Sequence, residues 1–368
     1  MAKKSFSRRN FLTTMAATAA TVTIPNTASA FIPGNPAPGS AIPEFRKDSG
    51  PIKILCTQQL SPKHVEQIRS AGKNTTLLII ADQNELKKHI ADAQVILGPI
   101  DGNLLPAAKQ LKWVQTFAAG VENMPKELKE HSCLVTNMQR VYAPVIAESA
   151  IALLLSLTRG LAQVSIPAFA QRKWMQPPGD VALTDLYGKT IGIVGMGGIG
   201  SETARRLHYG FNMKILGTDA KPMPKPEFVA ELHDPTWFMD MVPQVDVLMS
   251  AAPLTAETKL MFNEAVFNKL KQGAYFINVS RGGLVDQDAL VKALKEKKIQ
   301  GAGLDVATPE PLPAESPLWT CPNLVITPHN STIAPIRQER AVTLVTENVR
   351  RYSRELPLMN IVDKIKGY

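Results

Sequence analysis

The feature that most restricts how this chain can fold is the run TIGIVGMGGIGSETARRL, residues 190–207. An apolar, strand-like stretch ends at Gly195, glycine recurs at Gly197 and Gly200, and an amphipathic, helix-like stretch follows. Gly195 permits a tight turn. Gly197 lets the backbone approach a pyrophosphate whose charge faces the helix N-terminus, and Gly200 lets the helix sit close on the strand. Gly198 and Ile199 complete the loop. A second strand-like stretch, MKILGTD, ends in Asp219, 19 residues after Gly200. That is about the spacing of an acid that grips the adenosine ribose hydroxyls. Three glycines alone can be a structural turn. With the strand, the helix and the spaced acid they indicate a βαβ dinucleotide-binding unit. The Asp219 carboxylate accepts hydrogen bonds from a 2′-hydroxyl and repels a 2′-phosphate. NAD is therefore expected and NADP disfavoured, a preference that Lys221 and Lys225 nearby soften.

The rest of the chain repeats this alternation. IKILCT, TTLLII, QVILGP, KWVQTF and CLVTNM are short apolar runs between residues 52 and 138, separated by polar, helix-like segments. In SPKHVEQIRSAG, Ser61 is the expected N-cap, Pro62 opens the first turn and Gly72 stops the helix. PVIAESAIALLLSLTRG reads as a helix apolar on nearly every face, closed by Gly160, and its character predicts burial between two layers or two domains. A second alternating series runs from the glycine loop to LVITPHNS, and one long amphipathic helix, IRQERAVTLVTENVRRYSREL, follows. Strand and helix at this pitch predict parallel sheets covered by helices, and 368 residues suggest two domains.

The N-terminus is of another kind. It combines Arg8-Arg9 in SRRNFL, a threonine-rich apolar stretch of 14 residues, FLTTMAATAATVTI, and Ala-Ser-Ala at residues 28–30. This is signal-peptide anatomy, and the arginine pair points to twin-arginine export. A general secretory signal or an uncleaved anchor is the alternative, but the stretch is too short and too polar to span a bilayer stably. The protein is expected to fold in the cytoplasm, meet the twin-arginine translocase and reach the periplasm, with no stable membrane anchor. Residues 31–50, with four prolines and three glycines, read as a linker.

Formal charge is +9, and Lys3, Lys4, Arg8 and Arg9 supply four of it. With no lysine- or arginine-rich tract after the leader, no nucleic-acid partner is expected. Cys56, Cys133 and Cys321 form no Cys-x-x-Cys pair, so neither a metal site nor a structural disulfide is expected. Cys56 and Cys133 sit in apolar runs, where cysteine serves as a small core residue.

Three later stretches, INVSRGGLVD, GAGLDVATPEPLP and LVITPHNS, fall where strands of the second series end. In doubly wound sheets ligands bind at the carboxyl ends of strands, so Arg281, Glu310 and His329 are candidates to converge there. Arginine clamps a carboxylate and polarises a neighbouring carbonyl in a fixed fork. Histidine exchanges one proton near neutrality, and a carboxylate beside an imidazole fixes its orientation.

On these residues the chain resembles the D-isomer-specific 2-hydroxyacid dehydrogenases, over roughly residues 51–360. The motifs that carry the likeness are GKTIGIVGMGGIG, PLTAETKLMFN, INVSRGGLVDQDAL and GAGLDVATPEPLP with SPLWTCPNLVITPH. The resemblance implies that Arg281, Glu310 and His329 are the catalytic residues. It places Pro253 and Thr255, in the PLT turn, and Val279 and Ser280 along the cofactor. It puts Asp305 near the nicotinamide carboxamide, and FAAGVEN becomes a substrate-carboxylate loop with the amides of Ala119 and Gly120 as donors. It also implies a flavodoxin-like substrate domain, residues 51–148 plus 333–368, and a Rossmann NAD domain, residues 149–332. Hinge helices would join them, with a homodimer through the NAD domain. The expected reaction is hydride transfer between nicotinamide and a 2-keto/2-hydroxy acid pair of glyoxylate or hydroxypyruvate size or larger. Departures from the family pattern are Ser149 after the glutamate of AES, Asn330-Ser331-Thr332 after the histidine, and ATPEP without acidic or aromatic residues before Glu310. Two other readings stay open: an NAD-sensing interaction protein of the same fold, and a phosphite-type dehydrogenase. Glu310 separates the chain from formate-oxidising relatives, which carry glutamine there.

Overall fold

The computed structural model describes residues 50–178 and 183–368. The expected signal segment and nearly all of the linker lie outside the described residues. Among the described residues two sheets are present, and every strand pair in both is parallel. The first holds β1 (Ile52–Cys56), β2 (Thr75–Ile79), β3 (Val95–Leu97), β4 (Trp113–Gln115) and β5 (Leu134–Thr136), in the order β2-β1-β3-β4-β5. That is the flavodoxin-like order. The second holds β6 (Thr190–Val194), β7 (Lys214–Thr218), β8 (Glu231–His233), β9 (Val247–Ser250), β10 (Tyr275–Asn278), β11 (Gly301–Leu304) and β12 (Leu324–Ile326). Its order, β12-β11-β10-β9-β6-β7-β8, is the dinucleotide-fold order with one strand added, and its topological switch lies between β6 and β9.

The central strands are short, apolar and buried on both faces, because parallel crossovers place helices on each side; β9, β10 and β11 are buried at every residue. The helix after β1 runs Pro62–Ala71, and its Ser61 cap accepts the N–H of His64 at 3.3 Å. Gly72 ends it in extended backbone (φ −103°), so glycine serves there for room beside the Thr75 side chain rather than for a left-handed turn.

The expected apolar helix is Ala143–Thr158, and Gly160 closes it at φ 65°. It packs against the helix Gly198–Phe211 and against β10, β11 and β12. Its buried face, with Ile146, Leu153, Leu154 and Leu157, belongs to one apolar cluster that includes residues of both sheets, Ile54 of the first and Ile193 of the second among them. The helix Arg337–Ser353 returns to the first sheet, where it packs on Pro62–Ala71. Buried Asn348 fixes that return by donating to the side chain of Gln115 at 3.0 Å and to Met359 O at 3.1 Å. Cys56, Cys133 and Cys321 are free thiols, the first two buried. Among the described residues, no single helix is long and apolar enough to cross a membrane, and no group of three or more metal-ligating side chains is brought together.

Candidate active site

The glycine loop is built as its sequence requires. Gly195 has φ 93°, and a side chain there would press within 2.7 Å of the backbone of Ala251 and Ala252. A β-carbon at Gly200 would collide with the Gly195 carbonyl. Gly197 is different: nothing among the described residues lies within 4 Å of where its side chain would be. That open space stands at the N-terminus of Gly198–Phe211, where Gly197 is the N-cap and no side chain caps the helix. Free first-turn amides beside an uncrowded glycine fit an incoming diphosphate. Ile199, also in this first turn, packs partly buried against the core. Over Gly198 lies the aliphatic stem of Arg140, a non-glycine residue at φ 70°. Asp219 follows β7, and its Oδ1 accepts the Lys221 N–H at 2.8 Å. The Lys221 ammonium lies 4.6 Å from the ring centre of Tyr368, and burial lowers its pKa.

The carboxyl ends of β9 to β12 converge. Pro253 and Thr255 shape a self-contained turn: Thr258 Oγ1 donates to Pro253 O at 2.7 Å, and Thr255 Oγ1 donates to Glu257 at 2.7 Å. Buried Ser280 donates to the Ala252 carbonyl, tying the ends of β9 and β10, and Val279 is buried beside it.

Asp305 is 1% exposed, and both carboxylate oxygens are taken. They accept Thr327 Oγ1 at 2.6 Å and the amides of Asn330 at 3.1 Å and Ser331 at 3.2 Å. The Asp305 carbonyl accepts the His329 N–H at 2.8 Å. Its side chain thus organises the loop that carries His329. That loop holds His329 at φ 50°, a conformation few non-glycine residues adopt without such fixing.

His329 Nδ1 donates to Glu310 Oε2 at 2.8 Å. Glu310 Oε1 accepts the Ala307 amide at 3.0 Å, so the glutamate is anchored on one oxygen and holds the imidazole with the other. Nε2 is left for proton exchange. Arg281 leaves the end of β10 with Nη1 donating to the Ser280 carbonyl at 2.7 Å, and the Asn278 side chain fixes its backbone carbonyl at 2.9 Å.

Arg281 faces the first sheet. Its Nε donates to Glu122 Oε1 at 2.6 Å. Glu122 belongs to FAAGVEN, after β4, where Asn137 donates to Ala119 O at 2.7 Å and the Met138 amide to Ala118 O at 2.9 Å. The amides of Ala119 and Gly120 donate to no acceptor among the described residues. Burial pushes the Glu122 carboxyl up. Hydrogen bonding and charge from Arg281, with a smaller part from the charge of His329, outweigh it and hold the group below its ordinary value. The structure thus gathers Arg281, Glu310, His329 and the Ala119–Gly120 amides at one place. Glu122 and Arg140 are the residues the sequence reading passes over. Glu122 lies inside a stretch read for its backbone alone, and Arg140 is four residues past β5 with no motif around it.

A glycine loop at a switch point, facing an arginine, a histidine held by a glutamate and a loop of unpaired amides, defines an oxidoreductase that uses a nicotinamide dinucleotide. The family model described as D-isomer specific 2-hydroxyacid dehydrogenase, NAD binding domain, matches residues 151–331. The chain is 38% identical over 285 residues to glyoxylate/hydroxypyruvate reductase B of Citrobacter koseri, covering 75% of this chain and 83% of that one. A 2-hydroxyacid dehydrogenase family protein of Aeromonas salmonicida superposes with TM-score 0.71 at 29% identity, over 85% of this chain and 99% of that one. An NADPH-dependent glyoxylate/hydroxypyruvate reductase of Sinorhizobium meliloti, solved with NADP and sulfate, gives 0.72 at 25% identity, over 86% and 100%. The chain belongs to the D-isomer specific 2-hydroxyacid dehydrogenase family. It is an oxidoreductase with an NAD-binding domain, acting on a 2-hydroxy acid/2-keto acid pair.

Proposed function

We propose that the enzyme interconverts a small 2-keto acid, of glyoxylate or hydroxypyruvate size, and its D-2-hydroxy acid, with NAD(H) preferred over NADP(H). The observation that carries this reading is the His329–Glu310 pair, 2.8 Å apart, in the same site as Arg281 and the free Ala119–Gly120 amides. The Arg281 fork and the two amides receive the substrate carboxylate. His329 Nε2 gives its proton to the carbonyl oxygen in reduction and takes it back in oxidation. Glu310 holds the imidazole in the productive tautomer. The bound nicotinamide supplies or accepts the hydride. Substrate size follows the names of the relatives. Cofactor preference rests on Asp219, set against the NADPH dependence of the Sinorhizobium enzyme. Gly195, Gly197, Gly198 and Gly200 would hold the diphosphate.

The same reading takes Arg8-Arg9 as a twin-arginine address and the periplasm as the destination. It takes a homodimer as the working form. Ile166 (64% exposed), Phe169 (86%) and Trp174 (98%), large apolar side chains left in solvent within nine residues of one another in the sequence, support the dimer.

The test is turnover on glyoxylate, hydroxypyruvate, pyruvate and bulkier keto acids with each cofactor, beside light scattering for mass. The highest kcat/KM is expected on glyoxylate or hydroxypyruvate with NADH. No turnover on any of them, or a clear preference for a bulky keto acid, rejects the substrate assignment.

A further inference from the structure

We propose that Glu122 is an internal stand-in for the substrate's carboxylate: it occupies the anion seat between Arg281 and Gly120, and a keto acid must displace it to bind. This rests on the reading of Arg281 as the carboxylate clamp. Three observations converge on it. First, Glu122 Oε1 takes the Nε edge of the guanidinium at 2.6 Å, the kind of charge-assisted contact a substrate carboxylate would make. Second, Nη1 is already committed to Ser280 O, so the Nε edge and Nη2 are what the arginine has left to offer. Third, a β-carbon at Gly120 would run into Arg281 Nη2 and into both carboxylate oxygens of Glu122, Oε1 at 2.9 Å. The carboxylate therefore stands directly over Gly120, in the loop whose amides are unpaired. The side chain is about a third exposed, so it has somewhere to go when displaced.

A carboxylate bound there keeps the guanidinium from collapsing onto other acceptors, and it weakens ground-state binding of any anion that seeks the same seat. It exerts no comparable effect once the substrate is in place. Its signature is therefore a KM effect with little change in kcat.

The experiment measures KM and kcat for glyoxylate, and the Kd of oxamate, an unreactive keto-acid analogue, on NADH-loaded protein. Wild type is compared with Glu122→Gln, Glu122→Asp and Arg281→Ala. Glu122→Gln is expected to lower both KM and the oxamate Kd by about fivefold, the size of one partly exposed charged pair, with kcat within about twofold. Glu122→Asp keeps the charge but retracts it by one methylene, and should fall between the two. A higher KM, or a fall in kcat at unchanged KM, in Glu122→Gln would overturn the proposal and make Glu122 a positioning residue for Arg281. If Arg281→Ala binds oxamate as wild type does, the clamp reading itself falls. If Arg281→Ala loses oxamate while Glu122→Gln does not tighten it, only the stand-in falls.

Discussion

Glu310 touches the backbone with one carboxylate oxygen, at Ala307 N, and His329 with the other, at 2.8 Å. The histidine is thereby fixed from the side, while Asp305 fixes it from below through the loop backbone. An imidazole set this firmly has one nitrogen to offer, and the proposed proton transfer depends on it. His329→Ala is expected to cut turnover by about 10²–10⁴-fold with dinucleotide binding little changed. Glu310→Gln keeps a partner for Nδ1 but loses the carboxylate, so a smaller loss is expected. Stopped-flow turnover and dinucleotide titration of both variants check this; near-wild-type rates in His329→Ala remove it from the mechanism.

Arg281 works by shape as well as charge. It divides its donors among Ser280 O, Glu122 and the space over Gly120, which only a planar fork can do. Arg281→Lys is therefore expected to remain severely impaired, by roughly 10²-fold in kcat/KM. Comparable kcat/KM for lysine and arginine would mean that a point charge suffices.

Much of this architecture is legible in the sequence for a local reason. The glycine loop, the Asp219 spacing and the strand-terminal Arg281 and His329 are each written within a few consecutive residues. Short apolar runs between helices give the parallel sheets in the same way. What is not legible is long-range. Nothing near FAAGVEN says that Glu122 meets Arg281, 159 residues away. Nothing around Gly301–Leu304 says that Asp305 turns inward to hold a loop, because that depends on where β12 docks. Arg140 comes over Gly198 only because the chain leaves β5 beside the second sheet.

Asp219 caps its own turn through the Lys221 amide at one oxygen, and Lys221 stands close by. Asp219→Ser removes the charge that repels a 2′-phosphate and leaves that lysine to receive it. The ratio of kcat/KM for NADH over NADPH is expected to fall by about tenfold or more. An unchanged ratio means that the ribose assignment is wrong.

Burial pushes the Cys56 and Cys133 thiols up to about 11 from an ordinary 9.0, and the partial burial of Cys321 raises its thiol too. The thiolate is the reactive species, so at pH 8 only about one in a thousand of the two buried thiols is reactive. Iodoacetamide at pH 8 is expected to label Cys321 first, and Cys56 and Cys133 only after unfolding. The folded state favours the neutral thiol, so this contribution is complete below pH 9 and is lost as pH rises from 9 towards 11. Replacing both cysteines with alanine should flatten the fall in Tm across that window. Rapid labelling of the native buried thiols at pH 8 would contradict the burial.

Arg8-Arg9 and the Gly195-x-Gly197-x-x-Gly200 loop set opposite demands, since free dinucleotide is a cytoplasmic commodity and the leader reads as an export address. A twin-arginine route carries folded proteins, so the enzyme would close around its dinucleotide before crossing the membrane. Outside, replacement cofactor is scarce. A working enzyme would have to keep the molecule it left with and recycle it, oxidising one hydroxy acid while reducing another keto acid. Retention of that kind needs a Kd on the order of nanomolar, about −12 kcal/mol. Lysines in place of Arg8 and Arg9 are expected to leave the protein in the cytoplasm, as fractionation would show. Protein recovered from the periplasm is expected to release stoichiometric nicotinamide dinucleotide on denaturation. Recovery of empty protein that binds dinucleotide only at micromolar levels or weaker would end the retained-cofactor idea, whatever the fate of the arginine variants.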